Sequence, residues 1–120
     1  MGLEPANPVV HLQLRTPNPG RACAFYTHLF GWSAENLRIG RQSYLALDLG
    51  LEIDGGVVED GSKPPAWIPY VEVCDVGETV ALARSLGATV VLPRSEGAAG
   101  WRSVLEVPDG AEIAFWQPKT

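Results

Sequence analysis

Val9-Val10-His11-Leu12-Gln13-Leu14-Arg15 alternates, with Val10, Leu12 and Leu14 apolar and His11, Gln13 and Arg15 polar. That is the pattern of a strand with one buried face. Thr16-Pro17-Asn18-Pro19-Gly20 stops it, because proline cannot donate to a ladder and these residues favour turns. From Arg21 to Phe30 the period changes: Ala22, Phe25, Tyr26 and Leu29 fall on one helical face. Gly31 stands where a helix commonly ends. Trp32 to Ile39 reads as a second strand. Ser43 to Leu49 alternates again, with Leu45, Leu47 and Leu49 against Tyr44, Ala46 and Asp48. Gly50 turns the chain into Leu51 to Val58, a strand interrupted by Gly55-Gly56, where a bulge or a close backbone approach is expected.

Glu59 to Ala66 carries turn residues and a double proline and reads as a linker. The order then repeats. Ile68 to Cys74 is a strand, Glu78 to Leu86 a helix with Val80, Leu82, Ala83 and Leu86 as its stripe, and Gly87 ends it. Ala88 to Leu92 is a short strand, Pro93 to Gly100 a loop, Trp101 to Val107 a strand, Pro108-Asp109-Gly110 a turn and Ala111 to Gln117 the last strand. Both halves run strand, helix, glycine, strand, hairpin, and a repeated unit that cannot bury its own face must associate with its copy. The reading is an α+β domain over residues 1–120, with one module at about 8–58 and a second at about 67–118. Leu12, Leu14, Leu45, Leu47, Val71, Val73, Ile113 and Phe115 are expected beneath the helices. The opposite face carries His11, Gln13, Arg15, Tyr44, Asp48, Glu52, Asp54, Tyr70, Glu72, Glu112 and Trp116.

The 120 residues carry a formal charge of -5 and 46% hydrophobic side chains. No cluster of Lys or Arg offers the basic footprint that nucleic acid requires. No apolar run is long enough to cross a bilayer. The first residues lack a signal-peptide core, and Cys23 and Cys74 form no CxxC pair, so a cytoplasmic protein with two buried structural thiols is expected. Gly55-Gly56 has no phosphate-loop context.

The strand His11-Leu12-Gln13-Leu14-Arg15, the helix end Phe25-Tyr26-Thr27-His28-Leu29-Phe30-Gly31-Trp32, Leu86-Gly87-Ala88, and Pro108-Asp109-Gly110 before Ala111-Glu112-Ile113-Ala114-Phe115 resemble the vicinal-oxygen-chelate superfamily. That superfamily contains glyoxalases, bleomycin-resistance proteins and extradiol dioxygenases. The resemblance implies two βαβββ modules in cupped mixed sheets with outer helices, a homodimer, and pockets between modules. It also implies four His or Glu metal ligands, one from the first and one from the last strand of each module. His11 occupies the first such position, and Asp54 or Glu52 stands near the second. The third falls near Ile68 and the fourth at Ala114, and neither side chain can bind a metal. No metal cofactor is therefore expected. A divalent ion, if held, would fall to His11, Asp54, Glu72 and Glu112.

The remaining candidates are read from their place on the pocket face. His11, Tyr70 and Glu72 form a possible acid/base set. Gln13, Arg15, Tyr44, Asp48, Asp54, Trp101 and Trp116 are candidate ligand-binding residues. Trp116, with Trp101 bordering it, offers a stacking surface for an aromatic or cationic molecule, and Asp48, Glu52 and Asp54 could recognise a cation. Trp32 and Trp67 read as core or interface residues, and His28 as an outward-facing helix residue. The leading expectation is a small-molecule-binding protein of the bleomycin-resistance type, an antibiotic-resistance role. The alternatives are a lyase, isomerase or hydrolase on the same scaffold, and a non-catalytic accessory dimer.

Overall fold

A computed structural model describes residues 7–39, 42–50 and 53–119, with the backbone alone at 39 and 42–44. The order is β1 (Val9–Thr16), α1 (Pro19–Phe30), β2 (Ser33–Ile39), β3 (Gln42–Asp48), β4 (Asp54–Glu59), β5 (Ala66–Glu72), α2 (Val76–Ser85), β6 (Thr89–Glu96), β7 (Gly100–Glu106) and β8 (Glu112–Pro118). This is α+β, with the βαβββ order occurring twice. The chain forms two compact units: unit one spans Val10–Ile68, and unit two spans Pro69 onward together with the residues up to Val9.

In unit one β1 pairs in parallel with β4, β4 antiparallel with β3, and β3 antiparallel with β2. A parallel pair needs a crossover, and α1 supplies it. Asn18 caps α1, its side chain accepting from the Arg21 amide at 3.1 Å, and Pro19 occupies the first turn, where a missing N–H costs nothing. Gly31 closes the helix at φ 72°, a left-handed conformation that suits glycine. Leu14, Leu47 and Val57 form the core, with Ala22, Cys23, Tyr26, Leu45, Leu49 and Trp67 packed on it. Trp67 donates its indole N–H to the Tyr26 hydroxyl at 3.1 Å, so both residues pack into this unit.

Unit two repeats the arrangement: β5 parallel with β8, β8 antiparallel with β7, β7 antiparallel with β6. Asp75 caps α2 through the Glu78 amide, and the Val76 amide donates to the Gln117 side chain at 2.9 Å. Val76, Ser103 and Leu105 are fully buried, and the Ser103 hydroxyl donates to the Leu92 carbonyl.

Three expectations change and one alternative is decided. The expected loop from Pro93 to Gly100 is strand as far as Glu96: Ser95 and Glu96 pair with Arg102 and Trp101, after register shifts on either side of Leu92. Proline is tolerated there because β6 is the outermost strand of its unit and irregular at that point. Ala66, placed in the linker, begins β5. Of the two expectations for Gly55-Gly56, the close backbone approach holds and the bulge does not: the pairing with β1 and β3 runs through both residues without a shift, and a Gly55 Cβ would stand 3.0 Å from the Leu47 carbonyl oxygen. The glycine is needed because the Leu49 side chain lies 2.8 Å from where a Gly55 Cβ would stand. The helix stripes are also narrower than expected. Phe25 and Leu29 of α1 are 60% and 57% exposed, and Leu82 and Leu86 of the α2 region 60% and 71%. The faces actually used are Ala22, Cys23 and Tyr26 in α1, and Val76 with partly buried Val80 and Ala83 in α2.

The contrast is measurable. Leu105→Ala should lose about 2–5 kcal/mol of stability in urea unfolding, as a buried leucine truncation does. Leu86→Ala should stay within about 0.5 kcal/mol. Equal losses would contradict the packing described.

Candidate functional site

The strand register decides which side chains meet. On the non-helix face of unit one it sets two transverse rows. Ser33, Asp48, Asp54 and His11 stand side by side on successive strands, and Glu35, Ala46, Gly56 and Gln13 form the next row. Neighbours in a row are about 4.8 Å apart at the backbone. The structure therefore brings His11 beside Asp54, and Asp54 beside Asp48. Ala46 and Gly56 leave the centre of the second row low. Ser33, Glu35, Ala46, Asp48 and Asp54 line an open groove at this end of the sheet. The Asp48 carboxylate also accepts from the Gly50 amide at 2.9 Å, which fixes the turn after β3.

Arg15 does different work from that expected. Its side chain is buried, and Nε and Nη2 donate to the Pro64 carbonyl at 3.3 and 3.0 Å. The guanidinium ties down the segment between β4 and β5. In that segment the Asp60 carboxyl is held below its ordinary range, chiefly by the Ser62 hydroxyl and amide that donate to it, with Arg15 and Lys63 adding attraction. Tyr44's side chain and Glu52 lie outside the described residues. His28 is exposed on α1, its Nδ1 2.7 Å from the Ala24 carbonyl. Cys23 packs at the core of unit one as expected, whereas Cys74 is exposed, because it follows the end of β5 and precedes the α2 cap.

In unit two the rows are Glu72, Trp116, Arg102 and Tyr70, Ala114, Val104. Arg102 Nη1 donates to the Tyr70 hydroxyl at 3.0 Å. That bond runs diagonally from β7 to β5, across the strand that carries Ala114, which is fully buried. Tyr70 is 6% exposed and Arg102 is exposed. Trp116 lies against Gly100: a Cβ there would stand 2.9 Å from the indole and 2.2 Å from the Gln117 carbonyl oxygen. Glu112 shares the strand face of Ala114 and Trp116 by alternation.

Trp101 does not border Trp116. It pairs with Gln117, so alternation puts it on the opposite face. Arg94 and Lys119 each lie 5.3 Å from its ring centroid. Lys119 bonds Glu96 at 2.6 Å and holds that carboxyl below its ordinary range. The residue on the Trp116 face is Arg102, which was not among the sequence candidates. The signal was present in the hairpin. Counting back from Pro108-Asp109-Gly110 pairs Glu106 with Glu112 and therefore Arg102 with Trp116.

The family metal can be tested against these donors. His11 and Asp54 are adjacent, but Ile68 and Ala114 are buried and apolar. The Arg102 guanidinium bonds Tyr70, the strand neighbour of Ala114, and among the described residues no three His, Cys, Asp or Glu converge. A divalent ion needs several converging N, O or S donors. These residues do not fit that group.

The comparisons with known proteins agree on the family. Residues 10–116 match the profile described as "Glyoxalase-like domain". "Putative glyoxylase CFP32" of Mycobacterium bovis, and the protein of the same name in Mycobacterium tuberculosis, are each 30% identical over 114 residues, covering 88% of this chain and 44% of the relative. The chain thus spans less than half the length of those relatives. Among solved structures, hypothetical protein BH1468 from Bacillus halodurans C-125 superposes with a TM-score of 0.70 at 14% identity over 97% of both chains. Methylmalonyl-CoA epimerase from Mycobacterium tuberculosis gives 0.62 at 16% identity over 93% of this chain and 88% of that one. At such identities the structural likeness carries the fold alone.

The Trp116–Gly100 contact generates a test. Gly100→Ala should cost about 1–3 kcal/mol, as overpacking does, and should shift tryptophan emission. Gly97→Ala, whose new methyl would meet nothing nearer than 3.7 Å, should change neither by much. Emission unaltered in Gly100→Ala would show that Trp116 does not rest there.

Proposed function

Because the chain belongs to the glyoxalase-like domain family of the vicinal-oxygen-chelate superfamily, we propose that it binds a small organic molecule on the non-helix face of its second module, without the superfamily's metal centre. The observation that carries this reading is the Arg102–Tyr70 bond beside buried Ala114. Where relatives place a carboxylate ligand, this chain has a methyl group, and a cation bonds its strand neighbour. The same face supplies Trp116 as a flat apolar wall and Glu72 beside it in register, a combination of apolar surface and few polar groups that suits ligand binding. His11 and Asp54 in the first module are then a polar pair rather than half of a metal shell.

A second reading follows from Glu72. A carboxylate in the same row as Trp116 and Arg102 could move a proton on a bound molecule, and the matched mycobacterial relatives carry a glyoxylase name. Glu72→Gln separates the two readings: a pure binder keeps its affinity, whereas a proton-transfer enzyme keeps affinity and loses exchange of the ligand's acidic proton with solvent deuterium.

The metal-free reading predicts less than a tenth of an equivalent of Zn, Ni, Fe, Mn or Co in the purified protein, by elemental analysis. It also predicts that EDTA dialysis and His11→Ala leave the melting temperature insensitive to added Zn²⁺ or Ni²⁺ at micromolar levels. A stoichiometric ion that His11→Ala removes would overturn it.

A further inference from the structure

We infer that the second-module face selects an organic anion, a carboxylate or phosphate monoester carried on a flat apolar body, and that Arg102 is the residue that selects it; this rests on the binding reading above. Three observations converge.

The first is the guanidinium itself. Among the described residues Arg102 makes no ion pair, and its one hydrogen bond is Nη1 to the Tyr70 hydroxyl. Guanidinium has five donors in a rigid fork. Tying one nitrogen to a buried tyrosine fixes the fork's orientation and leaves its other edge, Nε and Nη2, for a planar bidentate partner. Carboxylate and phosphate oxygens match that geometry. A guanidinium held before the ligand arrives also loses less freedom on binding.

The second is the floor. Ala114 lies between Tyr70 and Val104 in one row, and Trp116 and Glu112 flank it along β8. Tyr70, Ala114 and Val104 are all buried and make a closed apolar floor beside the fork. Trp116, whose indole lies against Gly100, supplies the aromatic surface on which a planar body can stack.

The third is the charge pattern. Glu72 stands two strands from Arg102, with Trp116 between them. That is about 10 Å at the backbone, close to the screening length at physiological salt. Among the described residues the two side chains form no ion pair. This assignment departs from the aromatic or cationic molecule expected at Trp116. On the same face of the second module Glu106 and Glu112 form the row beyond Val104 and Ala114, and Glu35, Asp48 and Asp54 lie on the first module.

The test is a titration followed by tryptophan emission and calorimetry, with four probes of one shape: benzoate, phenyl phosphate, benzamide and benzamidine. Saturable binding of benzoate or phenyl phosphate is expected, with benzamide and benzamidine at least tenfold weaker. The stronger of the two anions names the headgroup. Arg102→Gln should weaken that anion roughly tenfold or more, as loss of a charged hydrogen-bonding partner does. Arg102→Lys should restore part of it, since charge returns without the fork. Tyr70→Phe should weaken it a few-fold with Arg102 in place, and the melting temperature of each variant reports whether it folds. If benzamide or benzamidine binds as tightly as the anions, or Arg102→Gln leaves affinity unchanged, the anion assignment falls while the binding reading stands. If none of the four binds up to millimolar concentration, both fall.

Discussion

Parallel pairing between the first and last strand of each module is the constraint from which the rest follows. β1 lies beside β4 from His11 to Thr16, and β5 lies beside β8 from Tyr70 to Glu72. Each pairing requires a crossover, and each crossover is a helix that covers only one face of the sheet. The covered face takes the apolar alternates. The other face is left to polar and aromatic side chains, and the register decides which of them stand in one row. A slip of one residue in either ladder would exchange the two sets. Had β8 shifted by one against β5, Phe115 would stand beside Tyr70 and the site described here would not exist.

Much of this was legible in the chain. Alternation in Val9–Arg15 and Ser43–Leu49 placed two strands and put Leu14 and Leu47 on their buried side, although Arg15 of the other side is buried as well, and the repeat of strand, helix and glycine gave the module order. These features are local, and local periodicity is what a sequence carries most directly. The misreadings share a cause. Phe25, Leu29, Leu82 and Leu86 have helical spacing, but a helix over a four-stranded sheet buries only a narrow stripe, and spacing does not say which of two adjacent stripes is chosen. Pro93 breaks most strands, yet β6 accepts it because an outermost strand leaves one edge of its backbone unpaired within the unit.

The site was less legible, because a site is a product of register between distant residues. Arg102 was passed over in favour of Trp101, its neighbour, although the hairpin turn holds the count that separates them. Arg15 was taken as a recognition group from its alternation, but alternation does not show that the Pro64 carbonyl waits beside it. By contrast, the apolar character of Ile68 and Ala114 was read directly, since it depends on identity and position in one strand only.

Ala114 and Arg102 make sense only together. Suppose a glutamate stood at 114. Its carboxylate would lie beside the guanidinium that now bonds the Tyr70 hydroxyl, and the two would form a charge-assisted bidentate pair. Such a pair would occupy the carboxylate and neutralise the arginine. Neither a metal nor an anion would then be served. A metal ligand at 114 therefore requires a neutral residue at 102, and an arginine at 102 that is to meet an outside anion requires a small apolar residue at 114. The two chemistries exclude each other at the distance of one strand. Arg102 on β7 and Ala114 on β8 stand in adjacent rows, Arg102 opposite Trp116 and Ala114 opposite Val104, so the proposed anion site depends on two side chains rather than on the loss of a single ligand.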